Sequence, residues 1–187
     1  GVEGSERADY MTTWKGTTFA NNTIGSTSFY FYGASQMRAS NTLLADTDAM
    51  DQSVAIKGNL VAVQADVVFG SIANNRIPIT VAGVTTTYDL DTRTYFIGSA
   101  GEEKPSYMYK YWTNSSNGRV AKETTVYEYD PTGGQMTKST VYRGDAILSA
   151  SANVPTLIAQ PVKKSETFYY GVEGSERADY MTTWKGT

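Results

Sequence analysis

Residues 1–17 recur letter for letter as residues 171–187, reading Gly-Val-Glu-Gly-Ser-Glu-Arg-Ala-Asp-Tyr-Met-Thr-Thr-Trp-Lys-Gly-Thr both times. Seventeen matched residues do not arise by chance, and a diverged internal repeat would carry scattered substitutions. The chain is therefore a β-rich unit, residues 1–170, followed by the start of a second copy, residues 171–187. The duplicated segment has the alternation of a β-strand. Ala8, Tyr10, Thr12 and Trp14 fall on one face, and Arg7, Asp9, Met11, Thr13 and Lys15 on the other. In the second copy the aromatic face is Ala178, Tyr180, Thr182 and Trp184. A strand of this kind is expected to turn its aromatic face to a β-core and its charged face to water.

Three physical routes lead to such a duplication. In a tandem array of near-identical domains, each unit contacts its neighbours. In strand donation, a subunit with an incomplete sheet accepts the terminal strand of the next, and a chain ending in a copy of its own first strand complements itself. A permuted chain that keeps its overlap is the third, disfavoured because no flexible linker separates Tyr170 from Gly171. The layout resembles that of donor-strand pilus and filament subunits, which implies that the partners are copies of the chain itself. One copy is expected to complete the chain's own sheet while the other projects or pairs with another molecule, since an open edge leaves unpaired N–H and C=O groups.

The remainder reads as a succession of short strands with explicit turn chemistry. Residues 28–32 form an aromatic strand, whereas 34–52 read as a loop with one or two helical turns. Alternation resumes at Val54 and Ile56, Gly58-Asn59 is a hairpin signal, and residues 60–69 continue as a strand. Further strands are read at 77–81, 84–90 and 93–97, with Asn74-Asn75 as a turn. Residues 106–113, 119–130 and 135–143 form a meander, its turns at 114–118 and 131–134. Residues 146–150, 155–162 and 166–170 are shorter elements. No helical pattern alternates with these strands. The expected fold is all-β, a sandwich-like (Ig-like or related) antiparallel fold of about ten strands completed by a shared terminal strand.

Composition narrows the chemistry. The chain has no Cys and no His, which excludes disulfides, thiolate nucleophiles, Ser-His-Asp triads and imidazole-ligated metals. A net charge of −3 without a basic patch argues against nucleic-acid binding. No apolar run approaches the ~20 residues of a membrane helix. Fourteen Tyr, with abundant Thr, Ser, Asn and Gly, match secreted or surface β-proteins. The sequons at Asn21 and Asn114 are compatible with a glycosylated surface. No signal-peptide pattern is visible and Gly1 is not a translation start, so a mature or excised chain is expected.

Few residues suggest a site. Asp46, Asp48 and Asp51 lie close enough in sequence to hold Ca²⁺, but their spacing lacks the Gly and distal Glu of an EF-hand, and a solvated acidic loop is the expected reading. Asp89 and Asp91 share one strand face, as a glycosidase pair would, yet strand-end Asp pairs are common without function. Tyr107, Tyr109 and Tyr111 on one face, with Trp112 on the other, are a candidate surface for a glycan or protein partner, core packing being the default for the three tyrosines. The sequence expectation is a non-enzymatic structural repeat or subunit of an extracellular or cell-surface filament, stalk or adhesin, without metal or cofactor, sharing β-strands between neighbours. The alternatives are a carbohydrate- or protein-binding module of a secreted protein, and a phage or virion structural protein.

Overall fold

A computed structural model describes residues 7–16, 23–57 and 68–185. Among these residues there is no helix, and the chain forms one large antiparallel sheet with a separate two-stranded hairpin. The strands are β1 (Tyr10–Lys15), β2 (Thr23–Tyr32), β3 (Met50–Lys57), β4 (Val68–Phe69), β5 (Arg76–Val81), β6 (Val84–Ile97) and β7 (Lys104–Thr113). They continue as β8 (Arg119–Tyr129), β9 (Met136–Arg143), β10 (Ile147–Ser151), β11 (Val154–Leu157), β12 (Lys163–Tyr170) and β13 (Arg177–Thr183). The order across the main sheet is β1-β2-β3-β6-β7-β8-β9-β12-β13, so the strands keep their chain order, with β4 and β5 inserted between β3 and β6 and β10 and β11 between β9 and β12.

Turn chemistry places several of these boundaries. Asn74 and Asn75 both adopt left-handed φ, 51° and 56°, in the reversal from Ala73 to Arg76. The Asn114 carboxamide accepts the N–H groups of Ser116 and Gly118, and Asp130 accepts those of Thr132 and Gly133. These contacts hold the carboxyl of Asp130 below its usual range. Residues 34–49 form successive tight turns without helix, and β3 starts at Met50. The two strands expected at 84–90 and 93–97 are one, β6, because its first half pairs with β5 and its second with β3 and β7. The Gly58-Asn59 signal and the strand expected from residue 60 fall, up to residue 67, outside the described residues.

One face of the sheet carries the core. Across β1, β2 and β3 it presents Tyr10, Phe29 and Val54, and across β7, β8 and β9 it presents Tyr109, Thr124 and Tyr142. Two lids cover it. The first is β4, β5 and the outer half of β6, which bury Ile77, Ile79 and Leu90 against Phe29, Phe31, Val54 and Ile56. Phe69 of this lid meets Phe29 and Phe31 edge-on, at 4.9 and 5.5 Å between ring centroids. The second lid is the β10–β11 hairpin, whose Ile147 and Leu157 pack with Ala146 over Tyr107, Val126 and Tyr142.

The tip of the second lid is pinned to the sheet. Asn153, at φ 60° in the turn, donates its side-chain amide to the carbonyls of Asp51 and Phe96 and to the Asp51 carboxylate. Asn153→Gly keeps a residue suited to left-handed φ and removes only the amide. It should lower stability by about 1–2 kcal/mol, measured by urea denaturation with an unchanged slope. An unchanged midpoint would show that the hairpin is held by its apolar contacts alone.

Candidate functional site

The two copies of the duplicated strand lie at the two opposite edges of the same sheet. β1 pairs antiparallel with β2, Tyr10 opposite Phe29 and Thr13 opposite Ser26. β13 pairs antiparallel with β12, Tyr180 opposite Phe168 and Thr183 opposite Ser165. The expectation that one copy would project is therefore corrected: a sheet has two edges, and each takes one copy.

Among the described residues, the copies use largely different side chains. In the first, Arg7 donates to the Asp46 carbonyl and lies over the Tyr32 ring, 5.2 Å from its centroid. Asp9 takes a two-pronged hydrogen bond from Arg38, whose Nε lies 2.6 Å from Oδ1. The Tyr32 hydroxyl donates to the Ala8 carbonyl at 2.7 Å, and Thr13 bonds the Ser26 hydroxyl at 2.6 Å. Tyr10 is half-buried against the Phe29 cluster. In the second copy, Glu173 pairs with Lys104, and Glu176 accepts the Met136 N–H, which holds the Glu176 carboxyl below its usual range. Tyr180 stacks on Phe168 at 4.5 Å, and the Lys163 ammonium lies 5.5 Å from the Trp184 ring centroid. Arg177 and Asp179, the counterparts of Arg7 and Asp9, make no side-chain hydrogen bond or ion pair among the described residues.

Of the face expected to be buried, only Tyr10 packs on the core. Ala8 and Trp14 are exposed, and Ala178, Tyr180, Thr182 and Trp184 are all exposed; Thr12 is intermediate. The physical reason is the reach of the lids: the first covers β2 and β3, the second covers β7 to β9, and every residue of β13 is open to solvent.

The remaining candidates separate. Tyr107 and Tyr111 are buried and Tyr109 is half-buried between them, in a tyrosine row on the core face. Tyr95 stacks on Tyr107 at 4.5 Å, under the Arg93 guanidinium. Burial pushes the phenols of Tyr107, Tyr109 and Tyr111 well above their usual range, and the Asp145 carboxylate beside Tyr109 adds to its shift. Trp112, on the opposite face, is exposed. Asp46, Asp48 and Asp51 do not converge: the Asp48 carboxylate accepts the Ala45 N–H, while that of Asp51 accepts from Gln36 and Asn153. No group of three acidic side chains able to hold a metal ion occurs among the described residues. Asp89 pairs with Arg76, and Asp91 with Lys57 and Arg119, so both are partnered by cations. Asn114 caps its turn through its own side chain, and Asn21 lies outside the described residues.

Arg38 carries a role that alternation did not signal. It holds Asp9 of the first copy while stacking over Phe69, 4.8 Å from the centroid, and so ties the edge strand to the first lid. Its position in the turn-rich 34–49 stretch gave no periodic cue. No helix among the described residues is long and apolar enough to cross a membrane. No protein-family model, curated protein or solved structure matches the chain.

Proposed function

We propose that the chain is a structural repeat or subunit of an extracellular or surface filament, stalk or adhesin, whose units associate by sharing β-strands. The observation that carries this reading is the placement of one identical segment at both edges of a single sheet. Edges are where sheets recruit other strands, through the unpaired backbone groups they present. A sandwich-like arrangement is part of the same proposal, with the two lids as a partial second layer over the core face. Placement at a surface rests on the Tyr-, Thr-, Ser-, Asn- and Gly-rich composition. The glycan-binding alternative keeps only Trp112 as a platform, because Tyr107 and Tyr111 point into the core.

Removing residues 171–187 uncovers the β12 edge while leaving β1 in place. The truncated chain should then form polymers whose size rises with concentration, read by size-exclusion chromatography with light scattering, while the full chain stays monomeric. Adding a peptide of residues 1–17 should cap the edge and restore the monomer. A truncated chain that remains monomeric at all concentrations would remove the proposal's main support.

A further inference from the structure

We infer that the duplicated segment is a seam strand, bonded through one edge to the unit before it and through the other to the unit after it, so that consecutive units form one uninterrupted antiparallel sheet. The partner of β13's free edge is then β2 of a second copy of this unit. This rests on the repeat reading above and goes beyond it, since repeats linked like beads would share no ladder.

Backbone geometry carries the inference. In an antiparallel ladder the N–H and C=O of one residue point to the same side, and those of the next residue to the other. In the first copy the Asp9 carbonyl accepts the Tyr30 N–H, so Asp9, Met11 and Thr13 address β2 over the regular register that follows. In the second copy the Trp184 N–H donates to the Lys164 carbonyl, so Trp184, Thr182 and Tyr180 address β12. With the offset of 170 positions removed, one copy uses its odd residues and the other its even ones. The same sequence therefore bonds through opposite edges at the two ends of the sheet, and a single strand can do both at once.

Four further facts agree. β1 and β13 run in the same direction, because each step across the sheet between them is antiparallel. Tyr10 and Tyr180 lie on the same face, so a seam would extend one aromatic row from Phe168 through Tyr180 to Phe29 of the next unit. Among the described residues, the side chains engaged are nearly disjoint as well. Toward β12 and the turns beside it the segment uses Glu173, Glu176, Tyr180 and Trp184. Toward β2 it uses Arg7, Asp9, Tyr10 and Thr13, leaving Arg177 and Asp179 free to meet the Asp46 carbonyl and Arg38 of a following unit. The open core face at β13 leaves room for that unit's first lid.

The test compares the chain with a doubled chain in which residues 1–187 are followed directly by another 18–187, using amide hydrogen exchange by NMR. In the single chain, Thr182 and Trp184 should exchange slowly and Met181 and Thr183 fast. In the doubled chain, Met181 and Thr183 of the middle copy should slow by about 100-fold, because both edges are then bonded. A second measurement does not rely on amide assignment. Asp179→Ala should leave the melting temperature of the single chain unchanged and lower that of the doubled chain, and Asp9→Ala, which removes the partner of Arg38, should lower it in the single chain. Fast exchange at Met181 and Thr183 in the doubled chain, or a silent Asp179→Ala there, would overturn the seam. If the truncation lacking 171–187 still polymerises, the repeat reading survives that failure; if the truncation stays monomeric, the repeat reading falls as well.

Discussion

Raising the pH above about 10 should unfold the protein cooperatively, with loss of β-structure coinciding with the appearance of tyrosinate absorbance. The cause is the tyrosine row. Tyr107 and Tyr111 retain 4% and 5% of their surface, and burial raises both phenols above the usual value of 10.0. A phenol whose folded pKa is raised binds its proton more tightly in the folded state. Its contribution is fully present below the unfolded pKa, near 10, and is lost as pH rises from there toward the folded pKa. Each such phenol costs up to about 1.4 kcal/mol per pH unit in that window, so these two alone cost about 3 kcal/mol per unit. By about pH 12 the loss is comparable with the whole stability of a typical domain. Tyr109, half-buried beside Asp145, and Tyr95, stacked on Tyr107, shift in the same direction. Tyr107→Phe removes one titrating group and should move the alkaline midpoint upward. Tyrosines that all ionise near pH 10 without loss of circular dichroism would refute the assignment.

Phe29→Ala should be among the most damaging single substitutions, lowering unfolding free energy by about 3–5 kcal/mol. The ring is fully buried and contacts the Phe69 edge, with the Arg38 guanidinium 5.4 Å from its centroid. It also sits opposite Tyr10 in the β1–β2 ladder and opposite Val54 in the β2–β3 ladder. The cavity would open where the edge strand, the sheet and the first lid meet, and none of them can collapse into it without breaking its own hydrogen bonds. Urea unfolding should show the loss, and limited proteolysis should show β1 released first. A change below about 1 kcal/mol would mean that the lid closes over the gap.

How far the sequence reveals this architecture depends on which physical signal each feature leaves. The turns at Asn74-Asn75, Asn114–Gly118 and Pro131–Gly134 are legible because left-handed φ and side-chain capping select particular residues. The all-β class follows from alternation. A single sheet with lids is not legible, since a period of two says which face is apolar and not what covers it. Trp14 illustrates the point: alternation groups it with Tyr10, but the cover ends before reaching it. The long β6 reads as two strands because its halves belong to different ladders. The duplication announces that edges matter. Which edge each copy bonds is written in backbone N–H and C=O directions, and these leave no trace in side-chain pattern.

The serial order of the strands has a mechanical consequence. The strands cross the sheet in chain order, and β1 and β13 are its outermost members. The chain enters β1 at the end of its ladder away from the β1–β2 connection, and leaves β13 at the end away from the β12–β13 turn. Tension applied between the two termini therefore opens both outer hairpins like zippers, a few hydrogen bonds at a time, instead of shearing a whole ladder at once. Such a body yields at low force from its rims inward, each released strand lengthening the chain by about 3.4 Å per residue while the lidded centre stays closed. In a row of units joined by the seam strands proposed above, only the two outermost strands are rims, so such a row under load would lengthen stepwise from its ends inward.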